Sequence, residues 1–146
     1  MIAARTFKAT KPALTESQEQ ALLFEWAEAE SERTPELAEL FHVPNGGHRN
    51  KTVAAKLKRE GVKAGIPDIF LLVPRNGHHG LIIELKAKGR GPTRAQEGWL
   101  ERFGRRGYLA LVCHGFEDAK GTILDYLNKK LTRCRGTQKL PGGMKP

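Results

Sequence analysis

Hydrophobic and polar residues alternate along the chain at spacings that predict four helices and four strands. Thr15 with Gln18 three residues later forms a capping-box pattern, which predicts a first helix from Thr15 to about Glu32. Its expected inward stripe is Leu22, Leu23, Trp26 and Ala29. A short helical turn over Pro35–Glu39 and a strand over Leu40–Val43 are expected next. A second helix over Thr52–Glu60, with Val53 and Leu57 facing inward, would end at Gly61.

The second half of the chain contains the strongest strand signals. The continuous apolar run Ile69–Val73 and the run Leu81–Ala87 flank the turn-rich segment PRNGHHG, which predicts a β-hairpin with a longer loop. The remaining expected elements are a helix from Thr93 to about Phe103, a strand over Tyr108–Cys113 and a helix over Phe116–Leu131. The order α, β, α, β, β, α, β, α predicts the α/β fold class, with a mixed central sheet and flanking helices.

Length and composition narrow the class of protein. The 146 residues suffice for one domain, which we expect over residues 14–131, between a flexible basic arm (1–13) and a basic disordered tail (132–146). No apolar run approaches the roughly 18 residues of a membrane span, and the N-terminus lacks the apolar segment of a secretory signal. Two cysteines without CxxC spacing exclude a disulfide scaffold. These features predict a cytoplasmic protein without a membrane partner.

Charge is unevenly distributed along the chain. The formal net charge is +9, but residues 16–40 carry −7 and residues 41–66 carry +5. A basic cluster attracts polyanions, of which nucleic acid is the commonest, although a merely solvated surface would have the same composition. The candidate DNA-binding residues are Asn45, Gly46, Gly47, His48, Arg49, Lys51, Lys56, Lys58, Arg59 and Lys63.

Candidate chemistry lies in the expected hairpin. Glu84 and Lys86 are two residues apart on one strand and therefore share a face, in an otherwise apolar run. Folding the hairpin about residue 76 or 77 places Asp68, at the start of the preceding strand, opposite residues 84–86. Two carboxylates and an ammonium at one end of a sheet suit metal-dependent phosphodiester hydrolysis with Mg²⁺ or Mn²⁺. The alternative is a structural salt bridge.

Two helical polar residues add to this candidate site. Glu19 precedes the apolar positions of the first helix by three, four and seven residues, and Gln96 has the same relation to those of the third helix. Both side chains are therefore expected to point inward. Glu19 could instead complement the helix dipole, and Gln96 could be the capping-box partner of Thr93.

Five ordered stretches also carry a resemblance to a known family. They are SQEQALLFEWA, FHVPNGGHRN, LKREGVKAGIPDIFLL, HGLIIELKAKGRGPTRAQEGWLERF and GYLALVCHGFEDA, and they span about residues 17–119. The chain resembles the VRR-NUC family of the PD-(D/E)xK nuclease superfamily, which implies a restriction-endonuclease-like core. The catalytic positions that the resemblance implies are Glu19, Asp68, Glu84, Lys86 and Gln96. Asp68, Glu84 and the main-chain carbonyl of Leu85 would hold the metal with support from Glu19, Lys86 would serve the nucleophile, and Gln96 would position the site or the DNA.

The resemblance further implies a stand-alone member of the phage and bacterial type. Such members resemble Holliday-junction resolvases, so we expect a homodimer that cleaves branched DNA in a bacterial cytoplasm. Three alternatives remain open from the sequence. They are a non-catalytic module that binds branched DNA, a nuclease of RNA or linear duplex, and a basic accessory protein whose paired charges form only a salt bridge.

Overall fold

A mixed four-stranded sheet forms the centre of the molecule. The structure, a computed structural model, describes residues 13–45 and 50–129. The strands are β1 (Phe41–His42), β2 (Ile69–Leu71), β3 (Leu81–Lys86) and β4 (Leu109–His114), arranged side by side in that order. β1, β2 and β3 pair antiparallel, whereas β3 and β4 pair parallel. A parallel pair requires a crossover, and a helix supplies it between β3 and β4.

The helices agree with the predicted order. They are α1 (Glu16–Glu30), a 3₁₀ helix (Pro35–Glu39), α2 (Lys51–Arg59), α3 (Arg94–Arg105) and α4 (Gly115–Leu127). Capping boxes start α1 at Thr15 and α3 at Thr93, and Asn50 caps α2 through its side chain. The α/β fold class with a mixed sheet and flanking helices is therefore confirmed. Most of the expected basic arm, the segment Gly46–Arg49 and the expected tail over 132–146 lie outside the described residues.

The main core lies between the sheet and the pair α1 and α4. Alternate β3 residues Leu81, Ile83 and Leu85 are buried there. The helices contribute Leu23, Ala27, Ala119, Ile123 and Tyr126 to the same core. The opposite face of the sheet packs against α3, where the Phe70 and Phe103 rings meet edge to face at 5.8 Å between centroids. Because side chains alternate along a strand, Glu84 faces α3 rather than the main core.

The inward face predicted for α1 is right at Leu23 and Trp26 and wrong at Leu22 and Ala29, and the inward face predicted for α2 is wrong. On α1 the fully buried apolar positions are Leu23 and Ala27, while Leu22 and Ala29 are exposed. The helix is thus rotated from the predicted face towards Ala27, and Phe24 and Trp26 pack against the edges of the core as partly buried residues. On α2 Val53 is 46% exposed and Leu57 only half-buried. The reason is that α2 packs against no other helix or strand within the described part of the chain.

The connection between β2 and β3 spans residues 72–80 and contains a tight turn. Arg75 and His78 pair across Asn76-Gly77, and both turn residues have positive φ, 53° and 80°. This is the conformation of a two-residue type I′ turn, for which Asn-Gly is the preferred sequence, and it lies at the tip of the longer connection that was predicted between β2 and β3. Between this pair and the Leu71–Leu81 pair, three residues on one strand face two on the other, which makes a bulge.

Across residues 13–45 and 50–129, no helix is both long enough and apolar enough to cross a bilayer.

Candidate active site

The register of the hairpin brings Asp68 and Glu84 together. Ile69 pairs with Ile83, so Asp68 and Glu84 occupy the next opposed positions, where side chains share a face and Cβ atoms lie about 4.5–5.5 Å apart. Asp68 Oδ2 also accepts a hydrogen bond from the main-chain N–H of Leu85, at 3.0 Å. The predicted position of Asp68 opposite residues 84–86 is confirmed.

Glu84 is a buried carboxylate with two differently placed oxygens. Its side chain is 0% exposed, and its Oε1 accepts hydrogen bonds from Lys86 Nζ, at 2.6 Å, and from the Gln96 amide. Its Oε2 is also buried and has no hydrogen-bond partner among the described residues. The pKa of Glu84 is raised from 4.5 to about 7, chiefly by burial. The hydrogen bond from Lys86 lowers this pKa, and the negative charge of Asp68 raises it further.

Lys86 is surrounded by acids. Its ammonium contacts Glu84 and lies 3.7 Å from Glu16 Oε1, with only 11% of the side chain exposed. Burial alone would lower the pKa of Lys86, but the hydrogen bond to Glu84 and the charges of Glu84, Glu16 and Asp68 together raise it. The amine is therefore held as an ammonium beside the two carboxylates of the hairpin.

The α1 carboxylate that contacts this group is Glu16, which lies close in register to the predicted Glu19, as does Gln20. Glu16 Oε2 accepts from the N–H of Ala87 at 3.3 Å, while its other oxygen faces Lys86. The predicted residue, Glu19, instead accepts from the N–H of Phe116 at 2.7 Å, at the start of α4. Glu16 precedes the buried Leu23 by seven residues, a spacing that would have indicated it once the true inward face of α1 was known.

Gln96 makes both of the contacts that the sequence left open, one at the helix start and one that points inward. Its side-chain oxygen accepts from the N–H of Thr93 at 2.8 Å and completes the capping box. Its amide nitrogen donates to Glu84 Oε1. Because the oxygen is engaged at the helix start, the amide group has one orientation, and it presents its N–H to the carboxylate.

The donors at this end of the sheet fit a hard divalent cation. The N–H and C=O of one strand residue point to the same edge, so the Leu85 carbonyl lies on the Asp68 side of β3. Across the described ranges, no three His, Cys, Asp or Glu side chains gather as a metal cluster. Two carboxylates and a carbonyl match Mg²⁺ or Mn²⁺, since Mg²⁺ keeps several waters and takes one or two carboxylates from a protein. The buried Glu84 Oε2 is the atom that such an ion would satisfy.

The predicted DNA-binding residues fall into three groups. The exposed cations of α2 and the segment after it are Lys51, Lys56, Lys58, Arg59 and Lys63. Asn45 donates its side-chain amide to the carbonyl of Ile66, just before Pro67 and Asp68, so it secures the loop that leads into β2. Gly46, Gly47, His48 and Arg49 lie outside the described residues. Whether any of these residues binds DNA stays a prediction.

Comparisons with known proteins agree with the fold. A model of the VRR-NUC domain family matches residues 9–117. A solved structure described as a VRR_NUC domain protein is 33% identical in sequence and superposes with a TM-score of 0.69, over 80% of this chain and 91% of that one. A search of curated protein sequences finds no match.

Proposed function

Since the chain belongs to the VRR-NUC domain family, whose members are nuclease domains, we propose that it is a metal-dependent DNA endonuclease. The observation that carries the proposal is the environment of Glu84. Its carboxylate is fully buried, opposes Asp68, and keeps one oxygen without a hydrogen-bond partner among the described residues. The salt bridge with Lys86 involves only the other oxygen, Oε1. A purely structural ion pair therefore gives no reason for burying Oε2 without a hydrogen bond.

The cation-holding residues in this proposal are Asp68, Glu84 and the carbonyl of Leu85. Bound there, Mg²⁺ or Mn²⁺ would polarise the phosphate and lower the pKa of a water molecule. The reaction is hydrolysis of a phosphodiester: water adds to phosphorus, the bond to the 3′ oxygen breaks, and the products carry a 5′-phosphate and a 3′-hydroxyl. Glu19, on α1, remains a predicted supporting residue, and its carboxylate accepts from the N–H of Phe116 at the start of α4.

Three further side chains organise the site. The Lys86 ammonium stabilises the negative charge that develops on the phosphate in the transition state. Gln96 fixes the orientation of Glu84 by donating to it, and its own orientation is fixed by the capping box. Glu16 contacts both Lys86 and the main chain after β3, and we assign it the supporting role on α1.

The substrate in this proposal is branched DNA, cleaved by a homodimer in the cytoplasm of a bacterial cell. The exposed cations of α2 favour DNA over a small phosphodiester as the substrate. They are separate from Asp68, Glu84 and Lys86, and a long polyanion could contact both sets of residues. Two copies related by a two-fold axis would present two active sites to the two strands of a junction.

A comparison of four substrates tests the proposal. The purified protein is incubated with Mn²⁺ and a four-way junction, a flap, a linear duplex or a single-stranded RNA of matched length, and dimerisation is measured by light scattering. We expect the junction to be cleaved fastest, with 5′-phosphate products. Preferential cleavage of RNA or linear duplex would assign another substrate class, and binding without cleavage of any substrate would identify a non-catalytic module.

A further inference from the structure

A tight turn follows directly after β3, the strand that carries Glu84 and Lys86. The N–H of Arg90 donates to the carbonyl of Ala87 at 3.0 Å, and Gly89, third of the four residues, has a φ of 82°. A positive φ at the third position is typical of a type II turn, and glycine adopts it without strain. The segment from Ala87 to Arg90 therefore has a defined backbone conformation.

Both ends of this turn are tied to neighbouring elements. At its start, Ala87 donates to Glu16 of α1. At its end, the carbonyl of Arg90 lies 2.9 Å from Nε2 of His114, and because a carbonyl can only accept, this nitrogen must carry the proton. His114 is itself well placed, since it pairs with Lys86 across the sheet and its main-chain N–H donates to Asp118 Oδ2 at 2.8 Å.

The turn presents two cations beside the active site. Lys88 and Arg90 are exposed, and neither forms an ion pair with any residue in the described ranges. Residues 87–92 contain no acid. The Cα atom of Lys88 lies within about 7 Å of that of Lys86, because two residues of extended chain span no more. On a bound DNA strand, the phosphate next to the cleaved one would lie within reach of the Lys88 and Arg90 side chains.

We propose that His114 is a positioning residue that fixes this turn, so that Lys88 and Arg90 bind the DNA phosphate adjacent to the cleaved phosphate. Contacts of this kind set the register of the backbone on a protein without reading sequence. Without the bond from His114, the turn keeps its first anchor but loses the second, and the two cations lose their fixed separation from the catalytic group. The inference rests on the proposed function, because it takes DNA as the ligand.

DNA binding in EDTA, where no divalent ion supports cleavage, tests this inference separately from catalysis. The probe is a fluorescent four-way junction, titrated with the full chain at 50 and 200 mM salt. We expect Arg90→Gln and His114→Ala each to weaken binding, with a loss about threefold smaller at 200 mM, since one phosphate contact contributes a salt slope of about 0.9. His114→Gln should retain most of the affinity, because its amide can also donate to the Arg90 carbonyl.

Two further variants distinguish positioning from a general effect on the fold. His114→Ala should add no loss to a chain that already carries Lys88→Gln and Arg90→Gln, because the cations through which it acts are absent. Lys129→Gln, which removes one exposed charge at the end of α4, should bind like the wild type. An undiminished effect of His114→Ala in the Lys88→Gln, Arg90→Gln background, or wild-type binding by both Arg90→Gln and His114→Ala, would overturn the inference. A chain that binds as expected but never cleaves would refute only the proposed function.

Discussion

Replacing Glu84 with glutamine should stabilise the metal-free protein, and the gain should depend on pH. Glu84 has a pKa of about 7 in the folded protein, chiefly because it is buried, against an ordinary value of 4.5. Below pH 4.5 the carboxyl is protonated in both the folded and the unfolded chain and resembles the amide. As the pH rises towards 7, only the unfolded chain ionises, so wild-type stability is progressively lost. The shift of the pKa from 4.5 to about 7 corresponds to a loss of about 3 kcal/mol in the free energy of unfolding, at about 1.4 kcal/mol per pKa unit.

The assay is urea denaturation of wild type and Glu84→Gln in EDTA at several pH values between 4 and 8. The difference in unfolding free energy should rise in favour of the variant up to pH 7 and then stay level. Glu25→Gln, which changes an exposed acid on α1, should show no such rise. A pH-independent difference, or a wild type that gains stability relative to Glu84→Gln as the pH rises, would show that the buried carboxylate carries no such cost.

Four other substitutions test the assignment of residues to catalysis and to stability. Asp68→Ala or Lys86→Ala should each reduce Mn²⁺-dependent cleavage about a thousandfold or more while junction binding persists, and robust cleavage by either variant would remove that residue from the chemistry. Tyr126→Phe should lower the free energy of unfolding, measured in urea, by about 1–3 kcal/mol but leave cleavage unchanged. The Tyr126 hydroxyl forms hydrogen bonds with the main chain of Val73 and Arg75, far from the site. A variant with wild-type stability would contradict this. Gly65→Ala should lower both stability and cleavage. Gly65 has a φ of 75°, and the added Cβ would lie 2.7 Å from Cβ of Ala95 at the start of α3. A variant with wild-type stability and activity would refute the close contact.

The part of the site that lies on the hairpin could be predicted because its geometry is local. Side chains alternate along a strand, and an antiparallel hairpin fixes which residues face each other once its centre is known. Asp68 and Glu84 followed from these two rules alone. The capping box of α3 was equally readable, and it also determines how Gln96 reaches Glu84.

The part contributed by distant elements could not be predicted. The rotation of α1 about its axis depends on packing against α4, so the sequence pattern favoured Glu19 where Glu16 contacts Lys86. Similarly, the contact between His114 and the turn after β3 depends on the register of β4, which the α3 crossover sets. The inward face expected for α2 failed for a related reason, because amphipathic spacing predicts a face but cannot supply a partner for it.

We propose that Asp68, Glu84 and Lys86 form a cation-dependent nuclease centre. The most direct test is cleavage of a labelled four-way junction by wild type and Glu84→Gln, each with Mn²⁺ and with EDTA. We expect cleavage, with 5′-phosphate ends, only by wild type in Mn²⁺. Equal cleavage by Glu84→Gln, or cleavage by wild type in EDTA, would show that these residues do not form such a centre.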